Sequence, residues 1–273
     1  MIANKVAIIT GAAGGIGVAI AEHFYRKGFH LLLSDIHQEG LDNLKKELIL
    51  KHSVLGDIVI HSGDLSHMDY IKSIVNKCGL HWGRVDVLIN NAAWRQHETL
   101  RRITEKTWNK TLQICLTAPA FLGKWAAELM ESKNIEGVII NLSSIMSNRA
   151  SGTGPAYVAC KGGIESLTYE MASLYGPSGI RVIGLAPGNI ATAMSADYKD
   201  PTGENLSARL EQQMNDQTPL GRPGHALEIA NAIFWLASTE ASFITGTVIQ
   251  IDGGFSHNFG PYSLKKKQFP EEF

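Results

Sequence analysis

Short apolar runs recur along the chain at long, fairly even intervals: Val6–Thr10, Leu31–Ser34, Ile58–His61, Val85–Asn90, Val138–Leu142, Ile180–Leu185 and Val248–Ile251. Most are continuous rather than alternating, which is how strands buried on both faces read. Between them lie stretches with helical spacing: Gly15–Lys27, Gln38–His52, Met68–Cys78, Thr107–Ser132, Ala156–Tyr175 and Ala226–Ser238. Strand and helix alternating throughout predicts βαβ units. The fold class is therefore α/β, a doubly wound parallel sheet of about seven strands with helices on both faces.

Two regions break this rhythm. Residues 194–221 are polar, carry Pro201 and Gly203, and hold a helical patch at Leu206–Asn215. An insertion there falls near strand C-termini, where ligands bind in such sheets, so it is read as a substrate lid rather than a surface excursion. The tail, 257–273, holds Lys265, Lys266 and Lys267 among scattered aromatics. A frayed terminus is the default for such a tail, with docking on a neighbouring subunit as the alternative. No internal repeat or linker divides the rest, so residues 1–256 are expected to form one domain including the lid.

Charge and cysteine content narrow the class of protein. Lys plus Arg total 25 against Asp plus Glu at 26, a formal charge of -1. Nucleic acid or an anionic membrane surface as main partner would need a clustered positive field. Cys78, Cys115 and Cys160 are too few for a disulfide framework, and no CxxC spacing suggests zinc, so no metal is expected. The stretch from Val6 to Ala21 is interrupted by Gly11, Gly14, Gly15 and Gly17, which excludes a signal-peptide core. A cytoplasmic protein acting on small molecules is the expectation, with no membrane span.

Most informative is where the glycines fall. Thr10-Gly11-Ala12-Ala13-Gly14-Gly15-Ile16-Gly17 follows the first strand directly and opens the first helix. Backbone amides at a helix N-terminus hold a pyrophosphate without needing a cation. Gly11 permits the tight turn, Gly15 and Ile16 lie where the backbone approaches the phosphates, and Gly17 allows close packing of helix on strand. This is the phosphate turn of a Rossmann-type dinucleotide site. Asp35, at the end of the second run, is placed to accept hydrogen bonds from both ribose hydroxyls and to repel a 2′-phosphate. Neither Val18 nor Ile36 supplies a compensating positive charge, so NAD is favoured over NADP. Asp64-Leu65, after the third run, is placed to touch the adenine edge.

Tyr157-Val158-Ala159-Cys160-Lys161 sets a phenol and an ammonium four residues apart, on one face of a helix. A free tyrosine is a poor base near neutral pH, and a neighbouring cation favours its phenolate. Ser144 follows a buried strand in Asn141-Leu142-Ser143-Ser144, where its hydroxyl can hold a substrate oxygen beside the phenol.

Taken together, these segments are similar to the short-chain dehydrogenase/reductase family, in its compact single-domain branch. The matching residues are the turn at 10–17, Asp64-Leu65, Asn90-Asn91-Ala92-Ala93, and Ser144 with Tyr157 and Lys161. Pro187-Gly188 leading to Thr192, Ile244-Thr245-Gly246 and Asp252-Gly253-Gly254 complete the set. The resemblance implies Tyr157 as the acid/base, Lys161 as the cation that assists it and binds the nicotinamide ribose, and Ser144 as the substrate-positioning donor. It further implies Asn91 lining the cofactor channel, Pro187, Gly188 and Ile190 beside it, and Thr192 near the carboxamide. It implies a homotetramer or homodimer, associated through the helices at 107–132 and 156–175.

One departure concerns the helix after the fourth run, where the family carries an asparagine past a tryptophan; here Trp108 leads to Cys115. A backbone role at that position survives replacement by cysteine and an amide side-chain role does not, so activity is expected with an altered proton relay. Candidate pocket residues lie past the strand ends: Trp94, Arg95, Gln96, His97, Met146, Asn148, Arg149, Asn189 and Met194. Among them Arg95, His97, Arg149 and Asn189 point to a polar or anionic substrate, such as a polyol, sugar or hydroxy acid. The expected reaction is hydride transfer between a secondary alcohol and NAD, reversible to ketone reduction. Two alternatives stand beside it: an NADP-dependent ketone or 3-oxoacyl-type reductase, and a non-enzymatic NAD(H)-sensing protein. A nucleotide-sugar epimerase or dehydratase shares Tyr-x3-Lys but needs a larger C-terminal region than follows Asp252.

Overall fold

The computed structural model describes residues 5–52, 56–196, 198–200 and 202–273. Of the lid insertion expected at 194–221, residues 197 and 201 lie outside this set. Seven strands are described: β1 (Val6–Thr10), β2 (His30–Asp35), β3 (Ile58–Ser62), β4 (Val87–Asn90), β5 (Val138–Leu142), β6 (Arg181–Pro187) and β7 (Thr247–Ile251). All pair in parallel, in the order β3-β2-β1-β4-β5-β6-β7. The order reverses between β1 and β4, and in such sheets a crevice opens beyond the strand C-termini at that point.

The continuous apolar runs are explained by two cores, one on each face of the sheet. Ile9, Leu33 and Ile140 face one side, with α1 (Gly15–Arg26), α2 (Gln38–Lys51) and α8 (Ala226–Leu236). Their neighbours Ile8, Leu32 and Ile139 face the other, with α3 (Met68–Trp82), α5 (Ala118–Ser132) and α6 (Pro155–Tyr175). Adjacent residues in a strand point to opposite faces, so burial on both sides demands an apolar residue at every position.

The stretch expected as one helix over Thr107–Ser132 is three elements. It runs as α4 (Glu105–Leu112), a π-turn at Gln113–Thr117, and α5. The amide of Ala118 reaches back five residues to the Gln113 carbonyl. Pro119, in the first turn of α5, has no amide to offer the Cys115 carbonyl and its ring crowds that carbonyl, which favours a wider turn there. A short α7 (Ser207–Gln217) occupies the lid region. The tail is not frayed: it contains α9 (Tyr262–Gln268), whose Ser263 donates from its amide to Asp216 Oδ1 at 2.8 Å.

Polar side chains tie the C-terminal ends of the central strands to α6. Asn90 Nδ2 donates to Asn141 Oδ1 at 2.8 Å, and Asn141 Nδ2 to Thr168 Oγ1 at 3.0 Å, all three residues buried. Replacing Asn141 by Leu leaves the Asn90 amide without its best acceptor. The expected loss is about 1–3 kcal/mol in unfolding free energy, read from the urea midpoint; an unchanged midpoint contradicts the bridge.

Candidate active site

The turn at the end of β1 is braced by the segment after β4. Thr10 Oγ1 accepts from the amides of Asn91 and Ala92, each at 3.1 Å. Asn91 Nδ2 returns hydrogen bonds to the carbonyls of Thr10 and Gly11, each at 3.0 Å. A side chain at Gly17 would strike the Gly11 carbonyl oxygen, so only glycine lets α1 start this close to β1. A Cβ on Gly15 would stand 2.9 Å from Thr192 Cγ2, closing the gap between the turn and the β6 end. No side chain caps α1, so the first-turn amides at Gly15 and Ile16, both lining the cleft, are open to an anionic group. These residues fit a dinucleotide pyrophosphate.

Beside the turn, Asp35 is oriented by the backbone: Oδ2 accepts from Ala13 N and Oδ1 from His37 N, both at 3.0 Å. His37 occupies the N-cap position of α2. Behind it, Ser34 Oγ and Tyr70 Oη lie 2.9 Å apart, and the Tyr70 hydroxyl donates to the His61 carbonyl at 2.5 Å. Burial pushes Tyr70 up to about 12, so it stays a neutral donor. Asp64 and Leu65 line the same end of the cleft. Burial acts to raise the Asp64 carboxyl, but the Ser66 amide and hydroxyl, with His67 and Lys110 further off, outweigh it and hold it below its ordinary range.

At the other end of the cleft, Ser144 starts a short 3₁₀ turn after β5 and accepts from Met146 N at 3.2 Å. Tyr157 and Lys161 are both buried on the first turns of α6. The Lys161 ammonium lies 5.3 Å from the Tyr157 ring centroid and donates to the Leu142 carbonyl at 2.5 Å. Ser143 Oγ braces the helix, lying 3.2 Å from the Lys161 carbonyl and 2.9 Å from Glu165 Oε1. Pro187, Gly188, Asn189, Ile190 and Thr192 leave β6 along the floor of the cleft. The whole cleft measures about 540 Å³ and runs from Gly15 and Asp35 to Ser144 and Tyr157.

The sequence-derived substrate residues divide. Arg95 and Asn189 line the cleft, with Trp94, Met146 and Met194. Gln96, His97, Asn148 and Arg149 are not part of its lining. His97 packs on the Tyr198 ring, centroids 4.6 Å apart. Arg149 is drawn away by the Ser256 carbonyl at 2.6 Å and by the Phe255 ring. Arg95 itself donates to the Met194 carbonyl at 2.7 Å and lies 5.2 Å from the Tyr198 ring centroid.

Other cleft residues escaped the sequence reading. Ser207, Leu210, Glu211 and Met214 form one stripe of α7 facing the cleft. Their i, i+3, i+4, i+7 spacing was the available signal, but a mixed polar stripe does not announce which way it faces. Lys110, 4.5 Å from the Trp94 ring centroid, was hidden inside a helical pattern.

Cys115 sits in the π-turn, its sulfur 3.3 Å from both the amide and the carbonyl of Trp94. The thiol thus ties α4–α5 to the segment after β4 through backbone groups. Burial raises Cys115, more than the Lys161 charge and the Trp94 amide lower it.

A family model described as Enoyl-(Acyl carrier protein) reductase matches residues 11–256. The 3-oxoacyl-(acyl-carrier-protein) reductase FabG of Thermotoga maritima is 34% identical over 251 residues, covering 92% of this chain and 97% of its own. The chain belongs to the short-chain dehydrogenase/reductase family. Among solved members, a 4-hydroxyisoleucine dehydrogenase complexed with NADH superposes with a TM-score of 0.83 at 28% identity, covering 94% of this chain and all of that one (100%). L-sorbose reductase of Gluconobacter frateurii, complexed with NADPH and L-sorbose, gives 0.86 at 26% identity, covering 94% and 98%. The protein is an oxidoreductase of alcohols and ketones from a family that uses a nicotinamide cofactor.

In this short-chain dehydrogenase/reductase the cysteines are predicted to be inert. Burial pushes Cys78 and Cys160 up to about 12 and raises Cys115, so all three remain neutral thiols at pH 8. Iodoacetamide at that pH should label none of them until denaturant is added. Rapid labelling of Cys115 in the folded protein would contradict the buried, backbone-bonded thiol.

Proposed function

We propose that the protein is an NAD-dependent dehydrogenase of a secondary alcohol carrying further polar groups: a polyol, a sugar or a hydroxy acid. The observation that carries the reaction is the convergence of Ser144, Tyr157 and Lys161 on one end of a cleft whose other end is a phosphate turn. The nicotinamide, when bound, supplies the hydride acceptor. Ser144 Oγ holds the substrate hydroxyl, and the Tyr157 oxygen takes its proton. Lys161, fixed on the Leu142 carbonyl, keeps a positive charge beside the phenol and reaches the nicotinamide ribose. In the reverse direction the Tyr157 hydroxyl returns the proton to the forming alkoxide of a ketone substrate.

NAD is proposed over NADP because a carboxylate, Asp35, lines the ribose end, and because Ile36, which follows it, is apolar and exposed. A 2′-phosphate there would meet a negative charge. Gly11, Gly15, Ile16, Gly17, Asp64, Leu65, Asn91, Pro187, Gly188, Ile190 and Thr192 complete the proposed cofactor site. All but Gly17 line the cleft, and Gly17 acts by letting α1 pack against the turn. For the substrate, Arg95 and Asn189 are the polar groups retained from the sequence, and Glu211 on α7 joins them. The segment 194–221 is proposed as the lid of this site. A cytoplasmic location and self-association as a dimer or tetramer belong to the same proposal; among the described residues no helix is long and apolar enough to cross a membrane.

Replacing Tyr157 by Phe is expected to lower turnover by about 10²–10⁴-fold, the usual worth of a positioned acid/base, while NADH affinity stays within about twofold. Substrate class is tested by following NAD reduction at 340 nm on polyols, sugars and short hydroxy acids against steroids and long-chain hydroxyacyl substrates. Preference for the apolar set refutes the polar assignment, and faster reaction with NADP refutes the role given to Asp35. No turnover on any alcohol, with NADH still bound, would favour a cofactor-sensing role.

A further inference from the structure

The lid helix has little hold on the body of the protein. None of the α7 residues is fully buried, and its inner stripe (Ser207, Leu210, Glu211 and Met214) faces the cleft rather than a core. A surface helix of this length is marginal unless packing or side-chain bonds fix it. At its start Ser207 Oγ accepts from Tyr198 N at 3.0 Å, and at its end the fixing contacts come from the C-terminal segment. Asp216, at the end of α7, accepts the Ser263 amide at 2.8 Å and the Ser263 hydroxyl at 2.7 Å. These bonds hold the Asp216 carboxyl below its ordinary range. Asn258 Nδ2 donates to the Gln217 carbonyl at 2.6 Å, and Lys265 Nζ fixes the other end of that amide at 2.8 Å.

The same segment is tied to the loop that carries Ser144. Asp252 Oδ2 accepts from Ser256 N at 2.8 Å, and the Ser256 carbonyl accepts from Arg149 at 2.6 Å. The Arg149 guanidinium also lies 5.0 Å from the Phe255 ring centroid. Arg149 is five residues past Ser144 in sequence, and the Arg149 amide closes on the Ile145 carbonyl at 3.0 Å. A continuous run of bonds therefore leads from the Ser144 turn through Arg149, Ser256 and Asn258 to the end of α7.

We propose that residues 255–273 are a strap that sets the position of α7 over the substrate end, with Asp216, Ser263, Asn258 and Arg149 as positioning residues. This rests on reading the cleft as the substrate site, and it assigns to the tail a role in substrate affinity but none in cofactor binding. The strap touches the outer face and end of α7, and the phosphate turn lies at the opposite end of the cleft. Losing it should loosen the α7 stripe against substrate while leaving Gly15 and Asp35 undisturbed.

The test is a double-mutant cycle of Asp216→Ala and Ser263→Ala in the full chain. Hydrogen–deuterium exchange of residues 207–217 needs no substrate. Asp216→Ala, which removes both bonds, should speed that exchange by at least about tenfold, the size of losing a hydrogen bond to a charged group, and Ser263→Ala, which keeps the amide bond, by less, with the sheet amides unchanged. The double variant should match Asp216→Ala, because once the carboxylate is gone the Ser263 hydroxyl has no bond left to lose. KM for the alcohol oxidised fastest in the panel above should rise in the same order, most in Asp216→Ala and the double variant, while NADH affinity stays within about twofold. Ser263→Thr, which keeps both donors, should restore KM. Unchanged α7 exchange overturns the strap. Faster exchange with unchanged KM overturns its role at the substrate, and a matching loss of NADH affinity overturns its confinement to that end. If no alcohol is oxidised, the reading of the cleft has failed and the exchange cycle alone decides the strap.

Discussion

A buried ammonium anchored on a single backbone carbonyl is the constraint around which the rest of the site is built. Lys161 is almost wholly enclosed and donates to the Leu142 carbonyl at the last residue of β5. Burying a charge is costly unless it is hydrogen-bonded, so the end of β5 and the first turns of α6 must stay in register. Ser143 secures this by reaching both the Lys161 carbonyl and Glu165, and Asn141 adds a bond to Thr168 further along α6. Because β5 lies beside β4, the Asn90–Asn141 pair carries the same register across to the turn at Asn91 and Gly11. The glycine turn and the Ser144, Tyr157 and Lys161 cluster are thus two parts of one braced strand edge.

The sheet and the cofactor turn were legible because they rest on local rules. Strands buried on both faces need unbroken apolar runs, and a turn that brings helix against strand needs glycine at position 17. Tyr157 and Lys161 were legible for a similar reason, since four residues of helix set their spacing. The interruption at Gln113–Thr117 was not, because one widened turn barely disturbs a helical pattern over so long a stretch. The Pro119 that accompanies it lay inside the expected helix, where proline opens or breaks a turn, and it was the available signal.

The substrate end was the least legible. Loop residues past the strand ends were named from sequence position alone, and position does not tell which way a long side chain turns. Arg95 lines the cleft while Arg149 bends to the Ser256 carbonyl. The helical patch at 206–215 was read and α7 forms there, but the face it turns to the cleft and the order of the tail were missed because neither is driven by burial: α7 and α9 contain no fully buried residue and are held by hydrogen bonds across long sequence separations. Such contacts leave no periodic trace.

The most direct test of the central claim removes the anchored charge. Lys161→Met keeps the length and much of the apolar packing of the side chain but abolishes the bond to Leu142 and the charge beside Tyr157. Steady-state oxidation of the best alcohol substrate at pH 7 should show kcat reduced by at least ~100-fold, with NADH affinity also weakened. Near-native turnover in the folded Lys161→Met protein would contradict the account.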